Sequence, residues 1–136
     1  MLKISKSTEY SILSLIYISN NEKESLINSR TISEELNIPY ELLSKLLQKL
    51  VKSRIIKSTQ GKYGGYNLLI PAKQLSVLSI IDAIDENVQV ANCTFESATK
   101  DDCGRINDCI IRTPFISLQD KINNIFESLT IEQLAK

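Results

Sequence analysis

Histidine and tryptophan are absent from this sequence, and glycine and proline are scarce, with four and three residues. The missing histidine removes the commonest general base and the commonest metal ligand, so a Ser-His-Asp triad is excluded. A phosphate-binding Gly-Lys-Ser or Gly-Lys-Thr motif is also missing. These absences together favour a protein that is not an enzyme.

Long apolar runs are missing as well. Segments such as Leu13–Ile18 are interrupted by serine and are too short to span a bilayer, and no signal peptide follows Met1–Lys6. The sequence therefore predicts a cytoplasmic protein of one domain, or one domain with a short dimerisation appendage. In that compartment three cysteines are not expected to form structural disulfides, and an odd number cannot all pair within one chain.

The formal net charge is zero, but the charges are unevenly distributed along the chain. Residues 1–73 contain 11 Lys/Arg and 6 Asp/Glu, an excess of five positive charges. Residues 74–136 contain 5 Lys/Arg and 10 Asp/Glu, an excess of five negative charges. This asymmetry is typical of a basic DNA-contacting head on an acidic body, although chance scatter of surface charge is the alternative.

Three helices are predicted in the first half of the chain. The first begins after Ser7 as its N-cap, where an apolar series starts at helical spacing. Thr31 and Glu34 have the spacing of a capping box, which predicts a short second helix that Asn37 ends in the left-handed conformation. Pro39 then provides the first turn of a third helix. The second and third helices together predict a helix-turn-helix unit.

The third helix combines an apolar face of leucines with a polar face. In a helix-turn-helix the second helix enters the major groove, where side chains meet base edges and phosphates. The predicted DNA contacts on this helix are Tyr40, Glu41, Ser44, Lys45, Gln48, Lys49 and Lys52. The alternative is that its lysines merely solvate a helix face.

A β-hairpin is predicted directly after the third helix. Strands over Ile55–Thr59 and Tyr66–Ile70 flank a turn whose glycines supply positive φ values. Helix-turn-helix followed by hairpin is the order of a winged helix, and Ser76 begins a further short helix over 76–85. The wing residues predicted to contact DNA are Gln60, Gly61, Lys62 and Tyr63.

The sequence pattern changes after residue 85. Residues 86–112 lack periodicity and contain Cys93, Cys103 and Cys109, and a loop of this length is usually functional or disordered. Three thiols can bind iron or zinc, act in redox sensing, or be small buried residues.

Thr113-Pro114 restarts a helix whose apolar side chains follow a heptad pattern, which favours a homodimer contact over packing on its own domain. The predicted dimerisation seam consists of Phe115, Leu118, Ile122, Ile125 and Leu129. Thr130 and Gln133 predict a small capped turn at the end of the chain.

The predicted fold class is therefore mainly α with a small β-hairpin. A winged helix-turn-helix DNA-binding domain occupies residues 1–85, a cysteine-bearing loop residues 86–112, and a long dimerisation helix with a C-terminal turn residues 113–136.

Four segments resemble a known family: Ile38-Pro39, Leu43–Leu50, Gly61–Tyr66 and Ile80–Ile84. Their sequence and spacing are similar to the IscR/NsrR-type (Rrf-two family) bacterial winged-helix transcriptional regulators, over nearly the whole chain. The resemblance implies a cytoplasmic homodimer that binds a double-stranded DNA operator of two half-sites as a repressor. It also implies an iron–sulfur cluster that senses nitric oxide, oxygen, redox state or iron supply.

The resemblance further implies the cluster ligands. Cys93, Cys103 and Cys109 would bind the cluster, with Glu9 of the partner subunit as the fourth ligand, and a 4Fe–4S cluster is favoured over 2Fe–2S. By position alone, Glu9 is also a first-turn acid favourable to the helix dipole. Two features depart from the family: Gln60 precedes Gly61 where arginine is frequent, and nine residues separate the first two cysteines. A cluster-free regulator that uses its cysteines as direct thiol sensors is the alternative.

Overall fold

A computed structural model describes residues 2–84, 88–95 and 97–135. The described elements are α1 (Lys6–Asn21), α2 (Ser29–Leu36), α3 (Tyr40–Lys52), β1 (Ile56–Thr59), β2 (Gly65–Leu68), α4 (Val77–Ala83), a 3-10 helix (Asn92–Thr94), α5 (Arg112–Ser128) and α6 (Ile131–Leu134). The fold is mainly helical with one antiparallel hairpin, as predicted. The predicted end of the fourth helix at Asp85 and the domain boundary after it lie outside the described residues.

Two helices begin earlier than their predicted caps. Ser5, and not Ser7, is the N-cap of α1, and its side chain accepts a hydrogen bond from an amide of the first turn at 3.2 Å. Asn28 is the N-cap of α2, and its Oδ1 accepts from the Thr31 amide at 2.8 Å. The predicted capping box of Thr31 and Glu34 is therefore wrong: asparagine is as good an N-cap as threonine, and it stands first in the chain.

Other predicted helix ends are confirmed. Asn37 ends α2 with φ 53° and ψ 46°, the left-handed conformation that short polar side chains tolerate. Ser76 caps α4 by accepting a hydrogen bond from a backbone amide at 3.2 Å. Thr130 and Gln133 form a reciprocal capping box at the start of α6. The two N-caps rest on side-chain to backbone bonds within three residues, and the Asn37 end rests on its own backbone conformation, so all three are local features that the sequence alone predicts.

One apolar cluster fixes the position of α3. It joins α1, α2, α3, β1, α4 and α6, and full burial of each leucine or isoleucine contributes about 1.5–3 kcal/mol. Its buried members are Leu15, Ile18, Ile27, Ile32, Ile38, Leu43, Leu46, Leu47, Leu50, Ile55, Ile56, Leu75, Ile80, Ile84 and Ile131. The cluster holds the apolar face of α3 and leaves its polar face outward.

The hairpin is shorter than predicted and is anchored to the segment before α2. Its register pairs Ile56 with Leu68 and reaches Gly65 at the turn. An antiparallel bridge joins Ile27 to Tyr66, where Ile27 N donates to Tyr66 O at 3.3 Å and Tyr66 N to Ile27 O at 2.8 Å. Gly65 makes this approach possible: at φ +156°, a Cβ there would lie 2.7 Å from the Ile27 backbone. The wing is thus part of the head and not a free hairpin.

Helix α5 begins one residue before the predicted Thr113 and ends at Ser128. Leu129 therefore lies outside the helix, with φ −93° and ψ 120°, which corrects the predicted heptad at its last position. Together with Phe126, Leu129 packs against a second apolar cluster of Val77, Ile81 and Val88.

Candidate nucleic-acid interface and cysteine loop

Helix α3 exposes a continuous polar face. Its buried side chains, Leu43, Leu46, Leu47 and Leu50, all lie on the opposite side. The predicted contacts Tyr40, Glu41, Lys45, Gln48, Lys49 and Lys52 are exposed, and Ser44 is half-buried. This face is therefore available to a double helix in the way that the helix-turn-helix prediction requires.

Lys49 lies where the polar face of α3 meets α4. Its Nζ donates to the carbonyl oxygen of Ile84 at 3.4 Å. Ile84 is the C-cap residue of α4, so the ammonium group lies at the negative end of that helix dipole. The structure thus gives Lys49 an internal partner besides the phosphate contact predicted for it.

The tip of the wing is exposed. The predicted contacts Gln60, Gly61, Lys62 and Tyr63 all project there, and Tyr63 is 85% exposed. Lys62 Nζ lies 5.6 Å from the centre of the Tyr63 ring, a cation–π distance. A polar concavity of about 200 Å³ separates the wing from the start of α2 and is lined partly by Ser29, Ser58 and Tyr66.

Arg30, which was not among the predicted contacts, lies over the first residue of α3. Its guanidinium carbon is 5.0 Å from the centre of the Tyr40 ring, and the Ser29 hydroxyl donates to the Tyr40 hydroxyl at 3.4 Å. Hydrogen bonds with Ser29 and Ser44 lower the pKa of Tyr40 below its ordinary value, and the charge of Arg30 acts in the same direction. Nearby, burial raises the pKa of Tyr66. The contact crosses from one helix to another, so no local sequence pattern predicts it.

The cysteine loop is held together by Arg112 at the start of α5. Its Nε donates to the carbonyl oxygen of Cys93 and its Nη1 to that of Ile106, both at 3.4 Å. The Arg112 amide also donates to the carbonyl oxygen of Cys109 at 3.3 Å. One arginine therefore ties the first and last cysteine segments to the same helix end.

Gln119 ties the beginning of the loop to the middle of α5. This side chain is 3% exposed, and its Oε1 accepts from the Val90 amide at 2.7 Å. Its Nε2 donates to the Val88 carbonyl oxygen and to Asn123 Oδ1, each at 2.9 Å. The signal in the sequence is that Gln119 lies one helical turn from Phe115 and from Ile122, on the apolar face of the predicted helix, where a buried amide needs hydrogen-bond partners.

The three thiols are free, and the loop supplies donors without an assembled site. Cys93 is buried in the 3-10 helix, and Cys103 and Cys109 are half-buried in turns. Within the described ranges, no three or more Cys, Asp or Glu side chains are grouped as metal ligands. Thiolates are the donors that iron–sulfur clusters require, so the chemistry of the set fits a cluster. Within the described part of a single chain, however, the thiols do not form an assembled cluster site.

Glu9, the predicted fourth ligand, lies in the first turn of α1. Its Oε2 pairs with Lys6 Nζ at 2.9 Å, and both side chains are exposed. It also borders an otherwise apolar groove of about 460 Å³ that Ile12, Phe126 and Leu129 help to line. The proposed contribution of this carboxylate to a partner's cluster requires a second subunit.

The predicted dimerisation seam is only partly exposed. Leu118 and Ile125 are 45% and 64% exposed, whereas Phe115 and Ile122 are half-buried. Leu129 is half-buried against the chain's own second cluster. Of the predicted seam residues, the ones that remain exposed are therefore Leu118 and Ile125.

Comparison with known proteins gives matches over almost the full sequence. The family model described as "Rrf2: Iron-dependent Transcriptional regulator" matches residues 4–136. The chain is 25% identical over 135 residues to the HTH-type transcriptional regulator IscR of Vibrio campbellii, which covers 99% of this chain and 78% of that protein. No helix in the described ranges is both long enough and apolar enough to cross a membrane.

Solved structures share the fold. CymR, the global cysteine regulator of B. subtilis, superposes with a TM-score of 0.76 at 24% identity, covering 99% of this chain and 97% of that one. IscR of T. potens superposes with a TM-score of 0.74 at 20% identity, covering 98% and 85%. Both confirm the predicted winged helix-turn-helix architecture.

Proposed function

Because this chain belongs to the Rrf2 family of transcriptional regulators, we propose that it binds operator DNA as a homodimer and represses transcription. The observation that carries this proposal is the exposed polar face of α3 beside the exposed wing tip. The second helix of a helix-turn-helix enters the major groove, where lysine and glutamine suit base edges and phosphates. The positive excess of residues 1–73 would attract the phosphate backbone.

The test of DNA binding is fluorescence anisotropy with a duplex selected in vitro from random sequence. Lys45→Ala is expected to weaken binding about 5- to 150-fold, since a base contact is worth about 1–3 kcal/mol. Lys100→Ala is the control, because Lys100 is an exposed lysine of the cysteine loop outside the head. Unchanged affinity of Lys45→Ala would remove it from the interface, and binding that does not depend on salt would contradict the whole proposal.

We further propose that α5 forms the dimer seam through Phe115, Leu118, Ile122 and Ile125, without the predicted Leu129, which lies outside the helix. The exposure of Leu118 and Ile125 supports this, because isolated helix faces of this kind are usually covered by a partner. Two recognition helices related by a two-fold axis would then read two half-sites.

Light scattering coupled to gel filtration tests the seam. Leu118→Glu combined with Ile125→Glu is expected to give a monomer, whereas Asn124→Glu, at an exposed position of the same helix, should not. A dimer that survives the double variant would place the interface elsewhere.

Cys93, Cys103 and Cys109 are proposed as the protein ligands of an iron–sulfur cluster, with Glu9 of the partner subunit as the fourth and 4Fe–4S favoured over 2Fe–2S. Three free thiols in one loop, the donor class that such clusters use, support the assignment. When bound, the cluster would supply a redox-active centre sensitive to nitric oxide, oxygen or iron supply. The chain's own contribution is Arg112, which holds the Cys93 and Cys109 segments to one helix end.

The cluster is tested on protein purified without oxygen, by its visible spectrum and by iron and sulfide analysis. Cys103→Ala should lose the chromophore and the iron, and Glu9→Gln should bind iron more weakly while the fold is kept. Lys6→Gln is the control, since it removes the ion-pair partner of Glu9 without removing a proposed ligand. Full iron content in Cys103→Ala would exclude this ligand set.

A cluster-free thiol sensor is the second candidate. It is supported by the free thiols of Cys103 and Cys109, which are half-buried and therefore partly accessible to an oxidant. Colourless protein that cannot be reconstituted with iron and sulfide, but whose DNA affinity changes on thiol oxidation, would establish it. The DNA-binding assignment stands under either outcome.

A further inference from the structure

Arg30 and Tyr40 join the first turns of the two helices of the helix-turn-helix. The guanidinium carbon of Arg30 lies 5.0 Å from the centre of the Tyr40 ring, and Ser29 donates to the Tyr40 hydroxyl. Tyr40 remains 43% exposed and Arg30 is exposed, so the pair faces solvent beside the polar concavity at the wing. Two contacts thus fix a cation at the start of the recognition helix.

We propose that Arg30 and Tyr40 form one DNA-contacting unit, in which the Tyr40 ring holds the Arg30 guanidinium in position to bind a backbone phosphate. The inference rests on the proposed DNA-binding function and adds a residue to it. The first helix of a helix-turn-helix crosses the DNA backbone, and Arg30 is in the first turn of that helix.

The chemistry of the site favours a phosphate over a base edge. A planar guanidinium binds phosphate oxygens with two parallel hydrogen bonds. Among the described residues no carboxylate forms an ion pair with Arg30.

The stack on Tyr40 also has an energetic consequence. A free arginine side chain loses rotamer freedom when it binds, and a ring that already restricts it reduces this loss. The effect of removing Arg30 should therefore depend on whether the Tyr40 ring is present. A lysine at position 30 would keep the charge but lose the planar stack.

The experiment measures binding of the full chain to two fluorescein-labelled duplexes of unrelated sequence, over a series of KCl concentrations. Arg30→Ala should weaken both complexes by the same factor and reduce the salt slope by about 0.9, the value for one phosphate contact. Lys100→Ala, an exposed loop cation, should leave the slope unchanged. A double-mutant cycle of Arg30→Ala and Tyr40→Ala should show that Arg30→Ala weakens DNA binding less when the Tyr40 ring is absent.

The outcomes separate this inference from the proposed function. If the unmodified chain binds neither duplex, the proposed DNA binding itself is wrong. If it binds both but Arg30→Ala keeps the full salt slope, only the assignment of Arg30 is overturned. If Arg30→Ala weakens binding equally with and without the Tyr40 ring, the coupled unit is refuted. If Arg30→Ala weakens binding to only one of the two duplexes, Arg30 contacts a base and not a phosphate.

Discussion

Replacing Gln119 by leucine removes the link between the cysteine loop and α5 at nearly constant volume. The Val90 amide and the Val88 carbonyl oxygen both lose their partner. An unsatisfied buried polar group costs about 1–3 kcal/mol, so two cost about 4 kcal/mol at the middle of that range. Burying a leucine side chain at this position recovers about 1.5–3 kcal/mol of that cost. The expected net loss is about 1–2.5 kcal/mol in the stability of the loop.

Hydrogen exchange read at the Val90 amide measures this loss directly. Because every 1.4 kcal/mol is a factor of ten, the Val90 amide should exchange about 5- to 60-fold faster in Gln119→Leu. Gln74→Leu, the same substitution at an exposed glutamine in the turn before α4, is the control. Unchanged protection of Val90 in Gln119→Leu would refute the argument that this amide holds the loop.

Three further substitutions test the head and α4. Gly65→Ala should lower the free energy of unfolding by about 1–3 kcal/mol in denaturant unfolding. The new Cβ would lie 2.7 Å from the Ile27 backbone, and the φ of this position is one that other residues avoid. Equal stability would show that the wing can move away. Asn28→Ala should cost about 1 kcal/mol through loss of the α2 cap, with Asn28→Ser as the control that keeps it. Partial desolvation near the end of α4 raises the pKa of Asp82, although its side chain is exposed. The folded state therefore binds this proton more tightly than the unfolded state, and stability falls as pH rises through that pKa. Asp82→Asn should therefore stabilise the protein at neutral pH and have little effect near pH ~3, below the ordinary pKa of aspartate; a gain that is the same at both pH values would contradict this cause.

The elements that sequence predicted best are those defined by local patterns. The leucines of α3 repeat at helical spacing, and Asn37 combines a polar side chain with a position between two helical patterns. Both features require no knowledge of distant residues. The predicted N-cap of α2 was wrong because Asn28 and Thr31 are both acceptable N-caps and stand three residues apart. Only the course of the preceding chain selects one of them. Arg54, in a left-handed conformation at φ 61°, follows no residue preference that sequence could use.

The contacts that build the site were largely beyond sequence reasoning, because they join residues far apart in the chain. Ser29 and Tyr40 are 11 positions apart, and Gln119 and Val88 are 31 positions apart. Their pairing is decided by how the helices pack and not by local spacing. Sequence did identify Tyr40 as a surface residue of α3, but its partner on α2 emerged only from the packing of the two helices.

A series of direct contacts through α4 connects the cysteine loop to the recognition helix. Gln119 and Arg112 tie the loop to α5, and α5 packs against α4. On the other side of α4, Lys49 of α3 donates to the carbonyl oxygen of Ile84 at the helix end. Packed helices move as rigid bodies, so a rearrangement of the loop reaches α3 along this route if α4 moves with α5. Cluster loss and thiol oxidation both act on the same loop, so we expect either one to use this contact route, and the coupling can be studied before the chemistry of the signal is known.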